Sequence, residues 1–256
     1  MKIVVLIKQV PDTYSDRVID TTTGLLDRDA SEAVIDEIDE RALEVALQAK
    51  DGDKKLEVVA LTVGPVGAKE SLRRALAMGA DAAVHVVDER LAGADAAHTA
   101  AVLAAAVRAQ GFDLVIAGNE STDGRGGVVP AAVAEHLGIP LLSYLDVVQL
   151  APGGVSGTRR SDGGTLDVHA PLPAIVSVTE RNPEARFPGF KGIMSAKRKP
   201  LAELTVADLG VELAAGAHAT IVSAAQRPPR EAGTKVVDDG TAAARLADYL
   251  ADAHLI

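Results

Sequence analysis

Residues 56–79 read LEVVALTVGPVGAKESLRRALAMG, and this stretch decides the fold class. Its first eight residues are an almost continuous apolar run, which is typical of a strand buried on both faces of a sheet. The Gly-Pro pair at 64–65 predicts a turn. Apolar residues then recur at helical spacing over Ala68–Met78, and Gly79 predicts the end of that helix. The stretch therefore predicts a strand and a helix in succession, as in a βαβ unit.

The same alternation extends to both sides of this stretch. Further strands are predicted over Lys2–Lys8, Ala82–Val87, Asp113–Ala117 and Ala174–Thr179, and further helices over Asp36–Lys50, His98–Gln110 and Val129–Leu137. Strands that alternate with helices at this spacing indicate an α/β fold with a doubly wound, mostly parallel sheet.

The pattern changes in the last third of the chain. A Ser-Asp-Gly-Gly turn at 161–164 separates two strand-like runs and predicts a β-hairpin. No periodicity is visible from 181 to 200, which predicts an irregular segment, and Asp239–Ala253 predicts a terminal amphipathic helix. We expect a core over 1–200 and an extended arm with a helix over 201–256, packed either on its own core or on a partner subunit.

Composition excludes several functions. The chain has 256 residues, no Cys, no Trp and six Phe and Tyr, so disulfides, a thiol nucleophile, iron–sulfur clusters and an aromatic platform for nucleic acid are excluded. The six His show no metal-ligand spacing, and no nucleophile motif is present, so neither a metal site nor catalytic side chains are predicted. The net charge of −10, without a leader-like segment or a membrane-length apolar run, predicts a cytoplasmic protein.

One loop is a candidate ligand site. Residues 118–129 read GNESTDGRGGVV and join a predicted buried strand to the start of a helix. Glycines allow a close approach of the backbone to a phosphate, and a helix N-terminus favours an anion. Open α/β sheets bind ligands at this edge, although an ordinary glycine-rich turn has the same signature.

A second candidate is the basic segment 181–199, RNPEARFPGFKGIMSAKRK. It has six basic residues and one acid, a net charge of +5 that leaves −15 on the rest of the chain. It also contains the apolar residues Phe187, Phe190, Ile193 and Met194. This composition is typical of a docking surface, while a solvated charged run, a loop that covers the core and a nucleic-acid site remain alternatives.

Five stretches together resemble the β subunits of the electron transfer flavoprotein family. They are VVLIKQVPD at 4–12, VIDEIDERALEVAL at 34–47, ALTVGP at 60–65 followed by ESLRRALAMGAD at 70–81, FDLVIAGNESTDGRGG at 112–127 and RNPEARFPGFKGIMSAKRKPL at 181–201. The resemblance covers nearly the whole chain and implies a fold of the adenine nucleotide α-hydrolase type. It also implies an electron carrier without catalytic side chains of its own, which pairs with an α subunit that holds most of a FAD.

The resemblance further implies a place for the carrier in metabolism. Electrons are expected from dehydrogenases, such as the acyl-CoA dehydrogenases of fatty acid oxidation, and are passed to a quinone oxidoreductase. The chain itself is expected to bind AMP structurally. The AMP contacts implied by the resemblance fall on Leu6, Asp36, Glu37, Ile38, Asp39, Val63, Gly118, Asn119, Glu120, Ser121, Thr122, Asp123, Gly124, Arg125, Gly126, Gly127, Val128 and Val129.

The chain departs from its relatives at the end of this loop. Many relatives have Asn-Gln-Thr where this chain has Gly127-Val128-Val129, so side-chain donors to a phosphate are missing and only backbone amides remain. A bifurcating type of subunit, with a second FAD in the AMP site, is therefore an alternative. A stand-alone adenine-nucleotide-binding signalling protein is another.

The basic segment matches the family's recognition loop, which docks dehydrogenases. The resemblance implies a role in partner binding for Phe187, Phe190, Ile193, Met194, Lys197, Arg198 and Lys199, with Phe190 as the apolar anchor. An apolar anchor beside charges suits a fast, weak complex, because charge speeds encounter without adding much affinity.

Overall fold

The computed structural model of the chain describes residues 1–212, 221–230 and 232–256. Its backbone contacts separate two units, Met1–Ala224 and Ala225–Ile256. All candidate site residues lie in the first unit. No helix in the described residues is both long and apolar enough to cross a membrane.

The secondary structure alternates between strands and helices as predicted. The strands are β1 (Lys2–Leu6), β2 (Gln9–Pro11), β3 (Ala33–Ile35), β4 (Glu57–Val63), β5 (Ala82–Val86), β6 (Leu114–Gly118), β7 (Leu141–Leu145), β8 (Val147–Ala151), β9 (Gly154–Ser161), β10 (Gly164–Pro171), β11 (Ala174–Val178) and β12 (Leu201–Leu204). The helices are α1 (Glu37–Gly52), α2 (Lys69–Met78), α3 (Ala96–Gln110), α4 (Val129–Leu137), α5 (Phe190–Ala196) and α6 (Ala242–Asp252).

Seven parallel strands form the central sheet in the order β12-β5-β4-β1-β6-β11-β7. The chain builds outward from β1 through β4 and β5, then returns to add β6 on the other side of β1. This reversal creates a crevice outside the carboxyl ends of β1 and β6, where doubly wound sheets bind ligands. The predicted α/β, doubly wound fold is confirmed.

The core explains why the central strands are apolar at nearly every position. In β1, Ile3 and Val5 face a cluster that includes residues of α1 and α2, while Val4 and Leu6 face a cluster that includes residues of α3 and α4. Because both faces of the strand are covered, neither set of side chains meets water. A seven-strand sheet between two helical layers positions the loop after β6 on a rigid frame.

The predicted hairpin is present as β9 and β10, which pair antiparallel, and β8 joins them to make a three-stranded sheet. β2 and β3 form a separate antiparallel pair. The sequence did not indicate β8, because its side chains alternate only between exposed and half-buried positions and contain no fully buried residue.

Two expectations for the C-terminal half differ from the structure. The segment expected to be irregular contains α5, a seven-residue helix whose only buried residue is Ala196, so it has too little apolar periodicity to be detected. The core was expected to end at residue 200, but β12 pairs with β5 at the edge of the central sheet and Val206 is fully buried. The first unit therefore continues beyond the predicted boundary.

The second unit consists of extended chain and α6, close to the predicted terminal helix. No residue of α6 is buried, and Leu246 and Tyr249 are more than half exposed. Residues 213–220 and 231 of the predicted arm lie outside the described residues. Packing of the arm on a partner stays a prediction.

Candidate functional site

The loop 118–129 lies at the crevice of the sheet. It leaves β6 at Gly118 and enters α4 at Val129, and the adjacent strand β1 ends at Leu6. Three aspartates, Asp36, Asp39 and Asp123, bond to this loop or lie within it, and we call them the acid clamp.

Asp36 joins the start of α1 to the middle of the loop. One of its carboxylate oxygens caps α1 by accepting from the amide of Ile38 at 3.0 Å. The other accepts from the amide and the hydroxyl of Thr122, at 2.6 and 2.7 Å. Asp36 is fully buried, so these bonds replace the water that the carboxylate would otherwise bind.

Asp39 joins three elements on the other side of the same helix turn. Its two oxygens accept from the amides of Lys8 and Gly118, at 2.8 and 3.0 Å. Burial, together with the nearby charge of Asp36, raises the pKa of Asp39 well above its usual range. A side chain at Gly118 would approach Asp39 Oδ1 to 2.6 Å, so glycine is needed for this contact.

Asp123 is the acid inside the loop. Its side chain is only 2% exposed and meets Lys8 Nζ at 2.7 Å and Arg28 Nη1 at 3.1 Å. Burial alone would raise its pKa, but hydrogen bonds from Lys8 and Ser121 and the charges of Lys8 and Arg28 together lower the pKa to about 2. Asp123 is therefore an anion that holds basic groups at the loop.

The end of the loop has polar groups that the protein does not use. Among the described residues, the backbone N–H groups of Gly126, Gly127, Val128 and Val129 have no hydrogen-bond acceptor. The buried Asn119 Oδ1 likewise has no donor in the described part of the chain. Open amides at the start of a nine-residue helix suit an anion, and the amide oxygen of Asn119 suits a ligand N–H donor. These open donors and this acceptor are of the kind that a nucleotide binds.

The remaining predicted contacts lie around this crevice. Leu6 is the last residue of β1 and Val63 is the last residue of β4, while Ile38 packs against Gly118. Glu37 is exposed on the first turn of α1, and Glu120 lies 3.8 Å from the guanidinium of Arg125. The structure thus places Asp36, Asp39, Ser121, Thr122 and Asp123 in one bonded cluster and Leu6, Glu37 and Val63 at its borders.

Three residues of this site were not identified from the sequence. Lys8 is the last residue of a predicted strand, so its position at the sheet edge was foreseeable, but its bonds to Ser121 and Asp123 were not. Arg28 lies in a long segment before β3 and no sequence signal relates it to the loop. Tyr144, in β7, has a left-handed backbone (φ 58°) and its hydroxyl lies against Gly127.

The basic segment 181–199 is mixed in character. Phe187 and Phe190 are 88% and 82% exposed, and Ile193 and Met194 are about half exposed. Lys197 and Arg198 are exposed, without an ion pair to any described residue. These six residues lie on or next to α5 and are exposed.

Other residues of this segment hold it on the core. Lys199 Nζ donates to the carbonyls of Leu76 and Ala80 at the end of α2, at 2.8 and 2.5 Å, and burial lowers its pKa. Arg186 forms a bidentate pair with Glu44, at 2.8 and 2.9 Å. Lys199 was predicted to contact a partner, but in the structure its ammonium group donates to carbonyl oxygens of the same chain.

Fold and site together define a class: a doubly wound α/β protein with a glycine-rich loop at the crevice of its sheet, the arrangement typical of nucleotide-binding proteins. In the described residues, no cluster of three or more His, Asp or Glu is placed to hold a metal ion.

Comparison with known proteins narrows this class. Residues 23–209 match the electron transfer flavoprotein domain. The chain is 46% identical to the electron transfer flavoprotein subunit beta of Mycobacterium leprae, over 99% of both chains. It is 33% identical to the subunit of the same name from Syntrophomonas wolfei, over 98% of this chain and 96% of the other. It is also 32% identical to the caffeyl-CoA reductase-Etf complex subunit CarD of Acetobacterium woodii, over the full length of both.

The chain belongs to the electron transfer flavoprotein family, among its β subunits. The resemblance inferred from the five sequence stretches is thereby confirmed. The family assignment implies electron transport, a flavoprotein and a heterodimer with an α subunit.

Proposed function

We propose that this chain is the β subunit of a heterodimeric electron transfer flavoprotein that binds AMP at the 118–129 loop and docks dehydrogenases through α5. Electrons enter from dehydrogenases, such as acyl-CoA dehydrogenases, onto a FAD held mainly by the α subunit, and leave to a quinone oxidoreductase. FAD supplies the redox chemistry when bound. The chain's own residues bind the nucleotide, position the loop and contact partners.

One observation supports the nucleotide part most directly: the acid clamp is hydrogen-bonded within the protein, whereas the amides of Gly126–Val129 and Asn119 Oδ1 have no partner among the described residues. An ordinary turn does not require three aspartates to fix its shape. The acid clamp does not accept from the amides of Gly126–Val129, so these amides are available to a ligand at the crevice. Their positive character favours a phosphate.

The exposed apolar surface of α5 supports the docking part. Phe187 and Phe190 are almost fully exposed, although aromatic side chains usually gain by burial. A rim of Lys197 and Arg198 next to them suits an acidic partner surface, which speeds encounter. Rapid exchange of partners is what a carrier between several enzymes requires.

A second candidate is a bifurcating flavoprotein with FAD in place of AMP. Gly127, Val128 and Val129 have no side-chain donors, so this loop end restricts the bound phosphate less than a polar one. The similarity to a subunit of a caffeyl-CoA reductase-Etf complex is in keeping with that candidate.

The small molecules of the purified heterodimer test these candidates. The chain is co-expressed with its α subunit, and nucleotides released by denaturation are quantified per heterodimer. One FAD and one AMP supports the main proposal, and two FAD without AMP supports the bifurcating candidate. A heterodimer with one FAD and no second nucleotide contradicts both.

A matched pair of variants ties the nucleotide to the loop. Asp123→Ala removes the acid that holds Lys8 and Arg28 at the loop, so the AMP content is expected to fall. Asp162→Ala removes an exposed acid from the β9–β10 turn and is expected to retain full AMP content. Equal AMP in both variants would mean that Asp123 has a structural role only.

A further inference from the structure

Tyr144 has an unusual backbone. Its φ of 58° lies in the left-handed region, which a bulky aromatic residue rarely adopts. The register between β7 and β11 shifts between Val176 and Val178, and the Tyr144 amide donates to Ser177 Oγ at 3.0 Å. Buried side chains in a regular strand are two residues apart, but the buried Leu142 and Leu145 of β7 are three apart. The strand therefore contains a bulge, which places Tyr144 as an extra residue between them.

This conformation brings the Tyr144 side chain to the end of the loop. A Cβ atom built on Gly127 would lie 2.5 Å from Tyr144 Oη and 3.9 Å from the carbonyl oxygen of Asn119. The hydroxyl therefore occupies the space that a side chain at position 127 would take. Unusual backbone conformations that the surroundings enforce are concentrated at functional sites.

The hydroxyl has no partner of its own. Tyr144 is 43% exposed, and its Oη forms no hydrogen bond with any described residue. Gly126, Gly127, Val128 and Val129 have no polar side chains, but their amides are open at the same place. Tyr144 of β7 thus brings a side-chain donor to this loop end.

We propose that Tyr144 is a ligand-binding residue of the loop, whose hydroxyl donates a hydrogen bond to the phosphate seated at the amides of Gly126–Val129. This inference rests on the proposed nucleotide function. It explains why position 127 is glycine: any larger residue would displace the hydroxyl and would also be strained at a φ of 64°. It also explains how the loop recognises a phosphate without polar side chains at its end.

The test compares AMP with adenosine, which lacks the phosphate. Their affinities are measured by titration calorimetry on the heterodimer after its nucleotide has been removed. Tyr144→Phe removes only the hydroxyl, so AMP is expected to bind about 10- to 100-fold more weakly, the usual effect of a lost hydrogen bond to a charged group. Adenosine affinity is expected to remain unchanged. Thr165→Val, which removes an exposed hydroxyl from β10, is the matched control and is expected to change neither.

The outcomes separate this inference from the proposed function. Unchanged AMP affinity in Tyr144→Phe overturns the role of Tyr144 while the nucleotide site stands. Equal losses for AMP and adenosine also overturn it, because the ring and not the hydroxyl–phosphate bond would then matter. A wild-type heterodimer that binds neither compound overturns the proposed function and the inference with it. A thermal midpoint within about 2 °C of wild type shows that the variant is folded.

Discussion

The acid clamp and the basic segment 181–199 use charge in opposite ways. Asp36, Asp39 and Asp123 are buried or nearly so, and each meets at least two donors within the chain. Lys197 and Arg198 are exposed, beside two phenylalanines that no part of the first unit covers. A charged side chain whose hydrogen-bond partners all lie within the chain fixes the conformation of the loop that it joins. A charged side chain without such partners is available to bind another molecule.

The same distinction divides the basic segment itself. Arg186 precedes α5 and Lys199 follows it, and they bond to α1 and α2, so they anchor α5 to the core. Gly192 rests on the backbone of Ala77, where a Cβ atom would come within 2.2 Å of the carbonyl oxygen. The segment therefore presents its apolar residues from a fixed platform, which lowers the entropy cost of docking.

The largest effect on stability is expected from Asp36→Ala. The change removes the cap of α1 and leaves the buried amide and hydroxyl of Thr122 without an acceptor. We expect the free energy of unfolding to fall by about 2–4 kcal/mol. Urea unfolding followed by circular dichroism measures it. Glu37→Ala, an exposed acid one residue further on, is expected to stay within about 0.5 kcal/mol, and a similar loss in both variants would contradict the clamp.

The pH dependence of stability tests the ionised state of Asp123. The pKa of Asp123 is lowered to about 2 from an ordinary value of 3.8, so its contribution is fully present above about pH 4 and is lost as the pH falls towards 2. The shift corresponds to about 2 kcal/mol. The difference in unfolding free energy between wild type and Asp123→Asn is expected to shrink over this range. The same difference for Asp162→Asn should remain flat, and a flat curve for Asp123→Asn would argue against the ion pairs with Lys8 and Arg28.

Arg186→Ala is expected to have a smaller effect. Glu44 would lose a bidentate partner at a side chain that is only 5% exposed, but Gln48 would still donate to it and the guanidinium is itself one-third exposed. We expect a loss of about 1–2 kcal/mol in the free energy of unfolding. Arg198→Ala, in the same segment, should be neutral within about 0.5 kcal/mol. If both changes cost the same, the division of the segment into anchoring and available charges is wrong.

The fold was predictable from the sequence because its central strands are covered on both faces. A buried strand such as β4 must be apolar at nearly every position, so it is visible as a run, and α4 is bounded by the predicted residues at both ends. β12 and α5 lie at the edge of the sheet or outside it and bury few side chains, so their patterns are weak. Hydrophobic periodicity in a sequence arises from burial, so elements that bury few side chains are not detected by it.

The site was predictable in position but not in its bonds. The loop 118–129 follows a buried strand, and strand ends converge in any parallel sheet. Arg28 reaches Asp123 across 95 positions of sequence, and Tyr144 reaches Gly127 only because β7 contains a bulge. Such contacts depend on the path of irregular chain, which no local pattern encodes.

The smallest effect on stability and the most specific effect on function are expected from Phe190→Ala. The side chain is 82% exposed, so the free energy of unfolding should change by less than about 0.5 kcal/mol. If Phe190 anchors the dehydrogenase, the concentration of heterodimer that gives half-maximal flavin reduction should rise by about 10-fold or more, as for a buried aromatic at the centre of an interface.

The measurement is the rate of flavin reduction by an acyl-CoA dehydrogenase as a function of heterodimer concentration, at equal FAD content. Leu166→Ala, a partly exposed residue on β10, should leave that curve unchanged. An unchanged curve for Phe190→Ala would mean that the exposed face of α5 is not where the dehydrogenase binds, and the contrast with the acid clamp would then lose its functional meaning.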